Sequence, residues 1–151
     1  MITFAVEKWS DVREEASNLW AQHYAEVGDG NNFGWELKPD IPKLNALEKV
    51  GALHIVVARA IGRMVGYHAS IIEPLLHHSQ ILAGKSDLYW LHPDWRRGRN
   101  AVLLFQAVEQ TSKARGVMAL YDGTKTSSDK GELFEFLGYT MIEKRYRKCL
   151  I

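Results

Sequence analysis

One cysteine, Cys149, is all this chain carries. It cannot close an internal disulfide, so packing must hold the fold, and a reducing, cytoplasmic setting is expected. Excess charge is also missing: 19 basic against 18 acidic residues leave a net charge of +1. So balanced a chain has no bulk pull toward nucleic acid or an anionic membrane. No apolar run approaches the ~20 residues that cross a bilayer. Glu7, Lys8 and Asp11 stand where a signal peptide would be apolar. Repeats and low-complexity tracts are absent too. What is present is ordinary for a globular protein: 151 residues, 46% hydrophobic and 25% charged, enough for one domain spanning 1–151 with a real core.

Residues 87–116, DLYWLHPDWRRGRNAVLLFQAVEQTSKARG, organise the rest. They read as a short apolar strand, a basic loop and an amphipathic helix. Pro93 closes the strand because proline cannot donate to a ladder, and Asp94 is placed to cap the following turn. Ala101, Leu104, Phe105 and Val108 recur at helical spacing, with Gln106, Glu109, Gln110 and Lys113 opposite. Gly116 stops the helix after Lys113 and Arg115, cations suited to its last turn. The loop therefore sits at a helix N-terminus, where unpaired N–H groups and the positive end of the macrodipole favour an anion. Arg96, Arg97 and Arg99 add charge, and Gly98 permits close backbone approach. A phosphate or pyrophosphate is the expected guest.

Along the chain, residues 2–7 alternate like an edge strand. A helix follows, capped at Asp11 with Glu14 three residues on, a capping-box spacing. Its apolar face is Val12, Ala16, Leu19, Trp20 and Val27. Residues 28–40 form a long loop with Phe33 and Trp35. Asp40 and Pro42 start a second helix with Leu44, Leu47 and Val50, ended by Gly51. Residues 53–59 and 64–72 pair across a turn at Ile61, Gly62 and Arg63. Pro74, His77, His78 and Ser79 connect to a strand ending at Leu91. After the organising helix come a strand at 117–121, a polar loop at 122–130, a short helix at 132–137 and a last strand at 139–150. The order β-α-α-β-β-β-α-β-α-β suits an α+β or α/β domain with a mixed, mostly antiparallel sheet.

HPDWRRGRNAVLLFQAVEQTSKARG resembles motif A of the GNAT superfamily, the acyl-CoA N-acyltransferases, whose Q/R-x-x-G-x-G/A loop opens a helix. With Arg96 leading and Ala101 closing, Arg99 falls on the middle glycine and Gly98 sits one position early. GELFEFLGY resembles the family's late helix, A-x-x-F-Y-x-K-x-G-F, and LGYTMIEKRYRKCL is similar to the endings of short phage-encoded members. The element order is also that of the GNAT fold, with helices on both sheet faces.

The resemblance implies acetyl transfer from acetyl-CoA to a primary amine by direct attack, with no metal. It places the pyrophosphate on Arg96, Arg97, Gly98, Arg99, Asn100 and Ala101, and the pantetheine beside Tyr89 and Leu91, with Ser128 and Phe134 also lining the coenzyme. An amine of pKa ~10 is mostly protonated at neutral pH, so a general base is expected: Asp87, Glu26 or His23. The family's late-helix tyrosine, a proton donor to the leaving thiolate, falls on Phe134, so Tyr121, Ser127 or Ser128 is the substitute to look for, unless the thiolate, a fairly weak base, leaves unassisted. Phe134 equally supports the alternative, an inactive GNAT-fold binding protein such as a phage-type inhibitor. The acceptor site is expected among Trp20, Tyr24, Phe33, Trp35 and Trp90. A homodimer is compatible with this reading, and nucleic acid is the least expected partner.

Overall fold

The computed structural model describes residues 1–27 and 34–151; Phe33 and the start of the aromatic loop lie outside the described residues. The elements are β1 (Ile2–Val6), α1 (Trp9–Val27), α2 (Ile41–Lys49), β2 (Leu53–Ala60), β3 (Arg63–Leu75), β4 (His78–Leu91), α3 (Asn100–Ala114), β5 (Ala119–Tyr121) and α4 (Gly131–Phe136). The five strands form one sheet in the order β1-β2-β3-β4-β5. The first three junctions are antiparallel and the last, β4 to β5, is parallel. Nine of the ten expected elements therefore appear in the expected order.

Strand alternation sends neighbouring residues to opposite faces. Ile55, Val57, Tyr67 and Trp90 pack under Trp9, Val12 and Ala16 of α1. Val56, between two of them, packs instead against Leu104 and Val108 of α3. The runs in β2 and β3 are buried on both sides, which is why they read as continuous apolar stretches.

Three local expectations are corrected. α1 starts at Trp9, not Asp11. The Ser10 N–H donates to both oxygens of Glu48 on α2, at 3.1 and 3.3 Å, so a carboxylate distant in sequence serves the orphan donor. Pro74 and His78 belong to strands, because β3 and β4 run on to a tight turn at Leu76 and His77. The strand expected at 139–150 is not formed: residues 140–151 carry no regular structure. Alternation of Ile142, Tyr146 and Leu150 proposes a strand, but a strand needs a ladder partner. Among the described residues none lies against the outer edge of β5.

The hairpin at Ile61 and Gly62 takes positive φ at both residues, +53° and +72°, the signature of a type I′ turn. Gly66 is required for a different reason. It stands opposite Leu91, and a Cβ there would lie 2.7 Å from the Trp90 carbonyl oxygen and 3.0 Å from the Leu91 Cα. Gly66→Ala is therefore expected to force β3 and β4 apart and to destabilise the protein by about 1–3 kcal/mol; urea unfolding of both proteins measures this.

Candidate functional site

β4 carries the feature from which the site is built. Ala69 pairs with Leu88 and Ser70 with Ser86, so Asp87 is an extra residue, a β-bulge. On its other side β4 pairs with β5 only from Ala83 to Lys85. β5 ends at Tyr121 while β4 continues to Leu91, so the two strands part beyond the bulge. The His92 N–H donates to the Val65 carbonyl at 2.7 Å. Antiparallel ladders alternate, so Trp90 turns its amide to β3, and Tyr89 and Leu91 turn theirs to the edge that β5 has left.

The 3₁₀ turn Pro93–Trp95 leads from this edge to α3. Asp94 does not cap it by its side chain; its N–H donates to His92 Nδ1 at 3.2 Å. Trp95 is half-buried and packs against the cluster of Ala58, Ala60, Val65 and Leu91. Asn100 Nδ2 donates to the Trp95 carbonyl at 2.9 Å and ties the turn to the helix. Gly98 has φ +58°, a conformation that favours glycine. α3 has no side-chain cap. Among the described residues the N–H groups of Arg97, Gly98, Arg99, Ala101 and Val102 find no backbone acceptor. Arg97 and Arg99 are exposed, and the Arg97 guanidinium lies 5.7 Å from the Trp95 ring centroid. Free amides, an uncapped helix end and two exposed guanidiniums make an anion cradle.

Arg96 departs from the expectation. Its guanidinium pairs with both Glu26 oxygens, at 2.5 and 2.7 Å, and its Nε donates to the Leu91 carbonyl at 2.6 Å. Bidentate pairing with a carboxylate directs Arg96 to α1 rather than to an anion on the loop. Glu26 is corrected with it. Hydrogen bonding from Arg96, reinforced by Trp90 Nε1 at 2.9 Å, holds its carboxyl down at about 2. So weak a base accepts protons poorly near neutral pH, and Glu26 fastens α1 to the β4–α3 turn instead. The structure leaves the Asp87 carboxylate exposed on the bulge.

Above the α1 face of the sheet, His23 Nδ1 and the Tyr67 hydroxyl share a 2.8 Å hydrogen bond. The His23 ring stacks beside Trp90 with centroids 6.0 Å apart. Burial, with the Arg96 and Lys125 charges, pushes His23 down to about 4, against the pull of Glu26. Tyr24 donates to the Trp35 carbonyl at 2.6 Å, bringing that ring's segment to the end of α1. Trp20 instead stacks on Trp9, centroids 5.5 Å apart, and belongs to the core.

On the α3 face, a network escaped sequence reading. His68 Nε2 and Asp122 Oδ1 lie 2.7 Å apart with both side chains 1% exposed. Tyr139 donates to Asp122 Oδ2 at 2.8 Å. Burial pushes the Asp122 carboxyl up, but His68, Tyr139 and Ser86 outweigh it and leave it below the usual carboxylate range. The Tyr89 hydroxyl donates to the Gly123 carbonyl at 2.7 Å. The loop after β5 is thus pinned at its root. Phe134 is buried, its ring edge-on to Tyr89 and Phe105. Ser128 Oγ accepts from Lys130 Nζ at 2.9 Å, and Tyr121 is exposed at the end of β5. A histidine and an aspartate 54 residues apart in sequence leave no motif to find.

Among the described residues no group of three or more His, Cys, Asp or Glu side chains is placed to hold a metal, and no helix is long and apolar enough to cross a membrane. No family model and no curated protein matches the chain by sequence. Solved structures do match in fold. A ribosomal-protein-alanine N-acetyltransferase from Brucella melitensis biovar Abortus 2308 superposes with a TM-score of 0.73 at 19% identity, covering 99% of each chain. An aminoglycoside acetyltransferase from an uncultured soil metagenomic sample gives 0.75 at 14%, over 100% of this chain and 99% of that one. A Clostridium acetobutylicum predicted acetyltransferase, solved with acetyl-CoA, gives 0.71 at 14%, over 99% and 97%.

His23 titrates near 4 when folded and near 6.5 when free. Between those values the unfolded chain binds the extra proton, so stability falls as pH drops through that window. The free energy of urea unfolding is expected to lose part of this slope in His23→Asn; identical slopes for the two proteins count against the assignment.

Proposed function

We propose that this chain, built on the GNAT fold, is an acetyl-CoA-dependent N-acetyltransferase acting on a primary amine, whether a protein lysine, a polyamine or a small molecule. The observation that carries the reading is the continuity of the open β4 edge with the anion cradle at α3. Acetyl-CoA is an elongated molecule with a diphosphate and a chain of amides. The N–H groups of Arg97, Gly98, Arg99, Ala101 and Val102 fit the diphosphate, and Asn100 holds their loop to the helix. The outward amides of Tyr89 and Leu91 suit the pantetheine, which would lie along β4 as an added strand. The Leu91 carbonyl is already held by Arg96, so its N–H is the group offered.

The coenzyme supplies an acetyl thioester, and this chain's residues orient it and manage the protons. A backbone N–H on the β4 edge near the bulge is suited to polarising the thioester carbonyl. Asp87, exposed on the bulge where the strands part, is assigned the removal of the amine's proton. Tyr121, at the last paired position of β5 opposite Lys85, is assigned proton return to the departing thiolate. Ser128 and the edge of α4 at Phe134 line the far wall. Glu26 and Arg96 act as positioning residues that keep α1 against the turn.

Free-thiol release from acetyl-CoA against a panel of amines, peptides and polyamines tests the activity, and no release with any acceptor rejects it. Coenzyme at 100 times its Kd is expected to stabilise the fold by about 2.7 kcal/mol, read as a rise in Tm. Asp87→Asn is expected to lower kcat by about 10²–10⁴-fold with coenzyme Kd unchanged. Arg97→Ala combined with Gly98→Val is expected to do the reverse, raising Kd by about 10- to 100-fold through lost charge-assisted hydrogen bonds; isothermal titration measures it.

A further inference from the structure

We infer that the protein encloses a hydration site between α3 and the sheet, where internal water bridges His54 Nδ1, His68 Nδ1, Ser70 Oγ and Ser112 Oγ. These four side chains are at most 1% exposed. None of the four atoms has a hydrogen-bond partner among the described residues. They belong to one layer of the fold. His54 on β2 stands opposite Ser70 on β3, and Val56 opposite His68. Val56 packs against α3, and strand alternation turns its neighbours two positions away to the same side. The His68 ring accordingly lies edge-on to Phe105 of α3, centroids 5.4 Å apart. Ser112 comes seven residues after Phe105, about two helical turns, and is buried on the same side of α3. Thr111 beside it reaches His54 Nε2 at 3.0 Å.

Counting hydrogens identifies the guest. Thr111 Oγ1 spends its one hydrogen on the Ala107 carbonyl at 2.7 Å. Toward His54 it can only accept, so His54 Nε2 carries the proton. Burial, then Arg115 and His68, push His54 down to about 4, so the ring is neutral near pH 7 and Nδ1 holds a bare lone pair. The Asp122 carboxylate also only accepts, so His68 Nε2 carries a proton too. His68 Nδ1 then needs a donor in the neutral ring and an acceptor in the charged one. Each serine hydroxyl donates once and accepts twice. The four atoms do not satisfy one another directly, so a bridging group is required, and polar atoms beyond contact distance are the usual setting for water. Water donates twice and accepts twice, which serves two imidazole nitrogens and two hydroxyls together. A cation is a poorer match. The Arg115 charge already bears on His54, and among the described residues no three His, Cys, Asp or Glu side chains are grouped to hold a metal. An apolar guest would leave all four atoms unpaired. The bridge completes a polar seam from Thr111 on α3, through His54 and His68, to Asp122 at the root of the loop after β5. It thereby ties the helix that begins at the anion cradle to the loop pinned by Asp122.

A high-resolution crystal structure of the native chain is expected to show water within ~3.2 Å of His54 Nδ1 and of at least one of His68 Nδ1, Ser70 Oγ and Ser112 Oγ. Imidazoles and hydroxyls that meet directly, with no water between them, overturn the proposal, and so does an ion at that position. In solution, the ring protons of His54 and His68 are expected to show magnetic cross-relaxation with a long-lived water; a dry interior gives none and rejects the site. The ¹⁵N shifts of the His54 ring near pH 7 are expected to report the tautomer protonated at Nε2 with Nδ1 accepting a hydrogen bond. The opposite tautomer reverses the hydrogen count and overturns the assignment of water as donor. All three measurements use the native protein, so none depends on a variant folding.

Discussion

A strand paired on both sides has no amides to offer, and β4 escapes that state over its last third. The bulge at Asp87 and the early end of β5 at Tyr121 leave the outward N–H groups of Tyr89 and Leu91 unladdered, while the Leu91 carbonyl is taken by Arg96. Unpaired backbone groups seek partners wherever they are. Here they face an opening that continues into the free amides ahead of α3. Both ends of a long, amide-rich anion can therefore be met by main chain alone, with little asked of particular side chains.

Two polar arrangements hold the walls of that opening. On the α1 face, Glu26 joins Trp90 and Arg96, so the end of one helix is fastened to the turn that starts another. On the α3 face, Asp122 gathers His68, Tyr139 and Ser86 and pins the loop after β5. Each carboxylate is kept charged by its donors, which is what a polar group close to a core needs. The histidines behave differently. His23 and His54 are pushed down to about 4, largely by burial, and stay neutral near pH 7. His54 Nδ1, His68 Nδ1, Ser70 Oγ and Ser112 Oγ are buried without a partner among the described residues, so the α3 face carries polar atoms inside.

Phe134 shows how packing settles a question that a motif raises. Its place in the late helix is the one that the GNAT pattern gives to a tyrosine. In the fold its ring is buried among Tyr89, Phe105 and Tyr139. An apolar edge suits that nest, where a hydroxyl would need a partner. Tyr139, close by, already has one in Asp122.

Local periodicity was enough to place α3, the β2–β3 hairpin and the strand–turn–helix with its basic loop, because helix and strand spacing and turn chemistry act between near neighbours. The element order and the GNAT resemblance followed from those pieces. Contacts distant in sequence were another matter. Nothing near Ser10 announces that Glu48 will serve α1, and nothing near Arg96 announces that Glu26, 70 residues earlier, will take its guanidinium. The strand pattern at 139–150 was legible as well, and misleading. Alternation declares which residues suit a strand, whereas a strand exists only where another edge offers hydrogen bonds, and that is decided in three dimensions.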